Sequence, residues 1–162
     1  MKTNCKALPK MLTLLLTAVV LAFPVHSTWA SDQVSFQGTA EGATVGVSPD
    51  PGGVVLAVVA EGNATQLGQF SREETILFNP ATGALSGLIV FTAANGDQLS
   101  GTVAGQFTSA TTVAATYTFT GGTGRFQNAS GEADFSLSTS DGVHFTVEFN
   151  GSLSSVGSAH NK

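Results

Sequence analysis

Apolar and polar residues alternate with a period of two along most of this chain after residue 33, a period that admits β-strands and rejects helices. The clearest case lies near the C-terminus. Ala133, Phe135 and Leu137 oppose Asp134, Ser136 and Ser138, and Val143, Phe145, Val147 and Phe149 oppose His144, Thr146, Glu148 and Asn150. Val34, Phe36 and Gly38 against Ser35, Gln37 and Thr39 read the same way, as do Val113, Ala115, Tyr117 and Phe119 against Ala114, Thr116 and Thr118. Leu99, Gly101, Val103, Gly105 and Phe107 share one face, where repeated glycine predicts the curvature or close packing that a small barrel needs. The reading is all-β: a single antiparallel β-barrel of about eight strands, with a β-sandwich as the alternative because short strands at this spacing fit either.

Turn chemistry divides the strands. Ser48-Pro-Asp-Pro-Gly-Gly53 reads as a loop, Asn79-Pro-Ala-Thr-Gly83 as a turn and Asn95-Gly96 as a hairpin. Val54 to Ala60 is continuously apolar: a strand covered on both faces, or one whose outer face meets another copy. Leu85 to Ala94 is apolar on both parities, which leaves its inward face open. At Asp141-Gly142 a two-residue loop would set Ser138 against Phe145. A three-residue loop, Ser140 to Gly142, instead pairs Leu137 with Phe145 and Phe135 with Val147, with Gly142 left-handed, and is the expected form.

Residues 1–30 have the form of an export signal: Lys2, Lys6 and Lys10, an apolar run from Met11 to Phe23, and small residues at Thr28 and Ala30. Pro24, His26, Ser27 and Thr28 spoil the second half of that segment as a membrane helix, so cleavage after Ala30 and no stable membrane insertion are expected. The barrel domain is then 31–153 and the small, polar stretch 154–162 a flexible tail, with a secreted or periplasmic location. Removing the leader leaves Arg72, Arg125 and Lys162 against eleven Asp and Glu, and takes away Cys5 and Trp29. A chain so acidic has no basic patch for a phosphate backbone, which argues against nucleic acid as a partner.

Candidate chemistry is sparse. Phe70, Arg72, Glu74, Ile76 and Phe78 share one parity, so an unbroken strand turns both charges toward the core. A bulge near Ser71 to Glu73 would swing them outward, and the cost of burying unpaired charge favours that bulge. Tyr117, the single tyrosine, has interior parity and needs a hydrogen-bond partner there, from the backbone or from a lumen ligand. If the barrel has a functional lumen, its polar groups are Tyr117, Arg72 and Glu74. His144 takes the polar parity and His160 the tail; Glu132 and Asp134 share a solvated face, as do His144 and Glu148. With no cysteine in the exported part and no paired His/carboxylate spacing, neither a metal nor a cofactor is expected, and no nucleophile elbow is present.

The stretch Thr120 to Gly131 holds Gly121, Gly122, Gly124, Arg125 and Phe126. It reads as a structural loop, glycines for the bends and Arg125 with Phe126 to pin it to the body. As a nucleotide cradle it fails, because the third glycine of G-x-G-x-x-G would fall at Gln127 and no Gly-Lys-Ser/Thr is present. The run Phe119-Thr-Gly-Gly-Thr-Gly-Arg-Phe126 followed by Ala129-Ser-Gly131 resembles the barrel domain of dirigent proteins and allene oxide cyclases, most of all their bacterial secreted relatives. Gly62-Asn-Ala-Thr-Gln-Leu-Gly68 before Phe70 and Ala94-Asn-Gly-Asp-Gln-Leu-Ser-Gly101 fit the same resemblance, which spans Val34 to Leu153. It implies an eight-stranded antiparallel barrel with a hydrophobic lumen, but no one activity, since such folds host several. Ser130 stands where dirigent proteins carry the arginine of Ala-Arg-Gly, so that arginine's role does not transfer.

Two function classes follow: an exported module binding a small apolar or aromatic molecule in its lumen, or a cyclase- or dirigent-type enzyme steering a reactive substrate there. Catalytic residues and oligomeric state are left open. The leader gives the first testable outcome: N-terminal sequencing of the exported form is expected to start at Ser31. Recovery of Met1, or of a membrane-retained full-length chain, would overturn the export assignment and the charge argument together.

Overall fold

The computed structural model describes residues 32–154. The expected export signal and its expected cleavage point, His160 and the expected tail beyond Ser154 lie outside the described residues. Eight strands follow one another: β1 (Gln33–Asp50), β2 (Gly53–Ala64), β3 (Gly68–Asn79), β4 (Ala84–Ala93), β5 (Gln98–Phe107), β6 (Thr112–Gly122), β7 (Gly131–Thr139) and β8 (His144–Ser154). Each pairs antiparallel with the next, and β8 pairs with β1, so the sheet closes into an up-and-down barrel and the sandwich alternative falls away. Ser154 belongs to β8, paired with Gln33, one residue beyond the expected end of the barrel.

The alternation sets the two faces. Phe36 and Ala40 of β1, Val58 and Ala60 of β2, Ile89 and Phe91 of β4 and Val147 and Phe149 of β8 are buried, while their sequence neighbours face out. The ends differ. Where the chain enters and leaves, Phe36, Phe70, Phe91, Phe119 and Phe149 fill the interior, with ring centroids 4.9 Å apart for Phe36–Phe119 and 5.2 Å for Phe36–Phe149 and Phe70–Phe91. Most of these contacts are edge-to-face, the arrangement that ring quadrupoles favour. The opposite end carries the four hairpin turns after β1, β3, β5 and β7.

Glycine makes the tight wall possible. Gly101 of β5 faces Phe119 across the sheet at a register shift, and a side-chain carbon there would run into the Thr118 carbonyl. The curvature expected from glycine on this face is thus a matter of backbone approaching backbone.

Three local expectations are corrected. The loop placed at Ser48 to Gly53 shrinks to Pro51 and Gly52, because β1 continues to Asp50 and pairs Pro49 with Val54. Pro49 is tolerated because β1 has left β8 by then, its last pair being Ala43–His144, so the missing N–H faces no partner strand. Val54 to Ala60 is covered on its inner face only: Val58 and Ala60 are buried, Ala57 and Val59 exposed. At the β7–β8 hairpin, Leu137 pairs with Val147 and Phe135 with Phe149, not with Phe145 and Val147. The loop is longer because Asp141 organises it. Its Oδ1 accepts from the backbone N–H groups of Val143 and His144, both at 2.8 Å, while Thr139 Oγ1 accepts from Gly142 N–H at 2.9 Å. Apolar still meets apolar, and Gly142 is left-handed as expected, at φ 76°. Val143, expected inside, is 44% exposed in the loop.

Gly101→Ala is expected to lower the unfolding free energy by about 1–3 kcal/mol through overpacking, measured by denaturant titration. Thr102→Ser, at the neighbouring outward position, should change it by less than about 0.5 kcal/mol. Equal effects would show that the wall is looser than the register implies.

Candidate functional site in the barrel lumen

The site begins with the parity of β3. Its pairings with β2 and β4 run without a register shift, so the bulge expected near Ser71 to Glu73 is absent and both charges turn inward. Arg72 sits between Ala60 and Phe91 on the neighbouring strands, and Glu74 between Val58 and Ile89. From β6, Tyr117 reaches the same level, flanked by Val103 and Ala133. The shifts that do occur fall elsewhere, at Val45 of β1 and Thr120 of β6.

Arg72, 1% exposed, donates from Nη1 to the Tyr117 hydroxyl at 2.6 Å. Its Nε lies 3.4 Å from Glu74 Oε1, close enough for charge attraction but without the geometry of a hydrogen bond. Aromatic rings surround the guanidinium, its carbon lying 5.7 Å from the Phe145 ring centroid and 5.8 Å from that of Tyr117. The phenol ring stacks on Phe135 at 4.3 Å with 17° between planes, which fixes where its hydroxyl points. Among the described residues, Arg72 and Ser154 are the buried polar or charged residues beside the wholly buried Tyr117 phenol, and Glu74 keeps 7% of its side chain exposed.

Burial dominates the protonation of the site. It pushes the Glu74 carboxyl above its ordinary value of 4.5, offset in part by the Arg72 charge and by the nearby Tyr117 hydroxyl. Burial also drives the phenol well above its ordinary value of 10.0; Arg72 opposes that rise and Glu74 adds to it. The cluster thus sets a guanidinium beside a phenol that keeps its proton and a carboxyl that burial makes a weaker acid than usual.

Above Glu74, toward the hairpin end, Leu56, Leu85, Phe107 and Leu137 are half-buried against the core, and Phe78 meets Phe107 at 5.2 Å. They form an apolar rim at that end, with buried Ile76 between Phe78 and Glu74 on the inward face of β3. An open trough of about 1470 Å³ runs over the surface past Glu41, Glu61, Glu73 and Glu148; Arg72 is among the residues that line it, whereas Glu74 and Tyr117 are not. Among the described residues no three His, Cys, Asp or Glu side chains gather as metal ligands would.

The other residues singled out in the sequence lie apart from the triad. Gly121, Gly122, Gly124, Arg125 and Phe126 sit at the aromatic-filled end. There Gly124–Phe126 forms a short 3-10 turn and Phe126 is fully buried. Arg125 lies 4.9 Å over the Phe126 ring and reaches Asp97 at 3.7 Å, tying this connection to the β4–β5 hairpin. His144 faces solvent and meets Asp141 at 2.7 Å; that contact, then the Val143 and His144 N–H groups, hold the Asp141 carboxyl well below its ordinary range. Phe135 and Phe145, which orient the phenol and face the guanidinium, are partners that parity placed inside without marking them apart from other core phenylalanines.

A closed eight-stranded up-and-down barrel, apolar inside except for one Arg–Glu–Tyr cluster, is the class that fold and site define. Solved structures of two pterocarpan synthase dirigent proteins share this fold. One is 16% identical with a TM-score of 0.58, covering 80% of this chain and 89% of that one. The other is 16% identical with a TM-score of 0.57, covering 77% of this chain and 96% of that one. No family model matches the chain, and neither does any curated protein. The barrel is dirigent-like in fold.

The Glu74 carboxyl titrates higher in the folded than in the unfolded chain. Its contribution to stability is therefore fully present below pH 4.5 and is lost as pH rises through the folded value. Relative to Glu74→Gln, the wild type should lose unfolding free energy as pH rises above 4.5, by at most about 1.4 kcal/mol per pH unit. Urea titrations from about pH 4 to 8 read this directly. A difference that grows with pH would mean that Arg72 outweighs burial.

Proposed function

We propose that this is an exported lumen-binding barrel of the dirigent-like kind, related to bacterial secreted members of that group. It takes a small apolar or aromatic molecule through the hairpin-end rim onto Arg72, Glu74 and Tyr117. One observation carries the reading: an ion pair and a phenol are sequestered at the centre of an otherwise apolar interior. Desolvating two charges costs several kcal/mol per ion, and well-packed apolar residues of similar volume commonly serve stability as well or better. Stability alone therefore gives little reason for these three side chains, whereas orienting a ligand's polar group does. The shared fold with two dirigent proteins supports a lumen that holds or steers a small molecule.

The raised Glu74 carboxyl favours a second reading, a cyclase- or dirigent-type enzyme. A carboxyl that holds its proton nearer neutrality can deliver it to a bound substrate, and Arg72 would steady the anion left behind.

The test is native mass spectrometry of protein recovered from its export compartment, beside the triple variant Arg72→Met, Glu74→Leu, Tyr117→Phe. The wild type is expected to carry a retained small molecule and the variant none, with the variant's unfolding free energy unchanged or raised by up to about 4 kcal/mol. A variant destabilised by several kcal/mol, with no ligand on the wild type, would make the triad a structural feature and end the proposal.

A further inference from the structure

The unmade hydrogen bonds of the triad narrow the chemistry of its ligand. Among the described residues, the buried side-chain polar atoms without a hydrogen-bond partner are Arg72 Nε and Glu74 Oε1. The first can only donate. The second, on an ionised carboxyl, can only accept. They lie 3.4 Å apart, so a single atom about 2.9 Å from each can bond to both. Nη1 of the same arginine is already committed to Tyr117.

Ligand groups differ in how they meet this pair. A carboxylate or phosphate offers only acceptors and sets its charge against Glu74. An ammonium offers only donors and sets its charge against Arg72. A ketone or ether satisfies Arg72 and turns a lone pair on Glu74. A hydroxyl does both through one oxygen, with no net charge to bury.

We propose that the lumen selects a neutral alcohol group, its oxygen accepting from Arg72 Nε and its proton donated to Glu74 Oε1, with the apolar body of the molecule toward the Leu56, Phe78, Leu85 and Phe107 rim. The inference rests on the lumen-binding reading above and adds to it the polar group that is read. It separates the roles within the triad: Tyr117 holds Arg72 in place, and Arg72 with Glu74 touches the ligand. Discrimination arises on both sides of the pair, because a group lacking either function leaves a buried donor or acceptor unpaired.

The probes are cyclohexanol, methylcyclohexane, cyclohexanone and cyclohexanecarboxylate, which share one ring and differ in the group it carries. Ligand-observed NMR titration of the full chain is expected to give cyclohexanol at least tenfold tighter binding than each of the others. Glu74→Leu should erase that preference while methylcyclohexane still binds. Glu74→Gln, which keeps an acceptor oxygen and the side-chain volume, should retain part of it. If methylcyclohexane binds as well as cyclohexanol, or the ketone or carboxylate binds best, the alcohol assignment is overturned while the lumen-binding reading stands. If none of the four binds, both fall together.

Discussion

The pairing of β8 with β1, from Gln33–Ser154 to Ala43–His144, is the contact on which the rest of the molecule depends. Without it the eight strands are an open sheet with two free edges and no inside. With it, every inward side chain faces its counterparts across a narrow space, and what an open sheet would leave half-wet becomes dry. Arg72 is buried because the sheet closes, not because its own strand covers it. Closure is itself conditional on backbones approaching one another where the wall bends, which is why glycine recurs on inward positions such as Gly38, Gly42 and Gly101.

Once a dry interior exists, the electrostatics of the triad follow. An arginine at this depth cannot shed its charge, so the site must bring compensation to it. Glu74 supplies a negative group two residues along the same strand, Tyr117 an acceptor from across the barrel, and Phe145 and the phenol ring supply π-faces. The balance is incomplete: burial still wins over Arg72 at the Glu74 carboxyl, and one donor and one acceptor stay unpaired. A structural ion pair would be expected to have its remaining valences filled by the protein. This one leaves them facing each other just inside an apolar rim.

The difference between what could be read in the residues and what needed the fold is itself physical. Side-chain parity is local, so strand content and the inward parity of Tyr117 were legible, and repeated glycine on one face pointed to a barrel while a sandwich stayed open. Two things were not. Parity fixes register only to within two residues, and the β7–β8 loop turned on Asp141 replacing ladder hydrogen bonds, which no alternation pattern encodes. A bulge in β3 was expected because buried charge is costly when unpaired; the partner that relieves the cost, Tyr117, lies 45 residues away on β6. The cost argument was sound in kind but lacked the tertiary contact that reverses it. The bulges that do exist, at Val45 and Thr120, lie where β1 departs from β8 and where β6 bends into its long connection.

The two ends of the barrel then assign a direction of approach. At one end Phe126 is fully buried and Arg125 is fastened to Asp97, so the β6–β7 connection lies over the phenylalanine cluster like a stopper. At the other, β1 runs on beside β2 after β8 has stopped, with β2 still paired to β3 as far as Val54–Phe78, and Val47, facing the same way as its partner Leu56, is 68% exposed. Apolar surface is sealed at the first end and left uncovered above the second. A molecule reaching Glu74 would meet that uncovered surface before the carboxyl. Arg72 and Tyr117 are more deeply buried than Glu74. The same asymmetry confines any chemistry at the triad to one mouth, since a group entering from the sealed end would have to displace five packed aromatic rings.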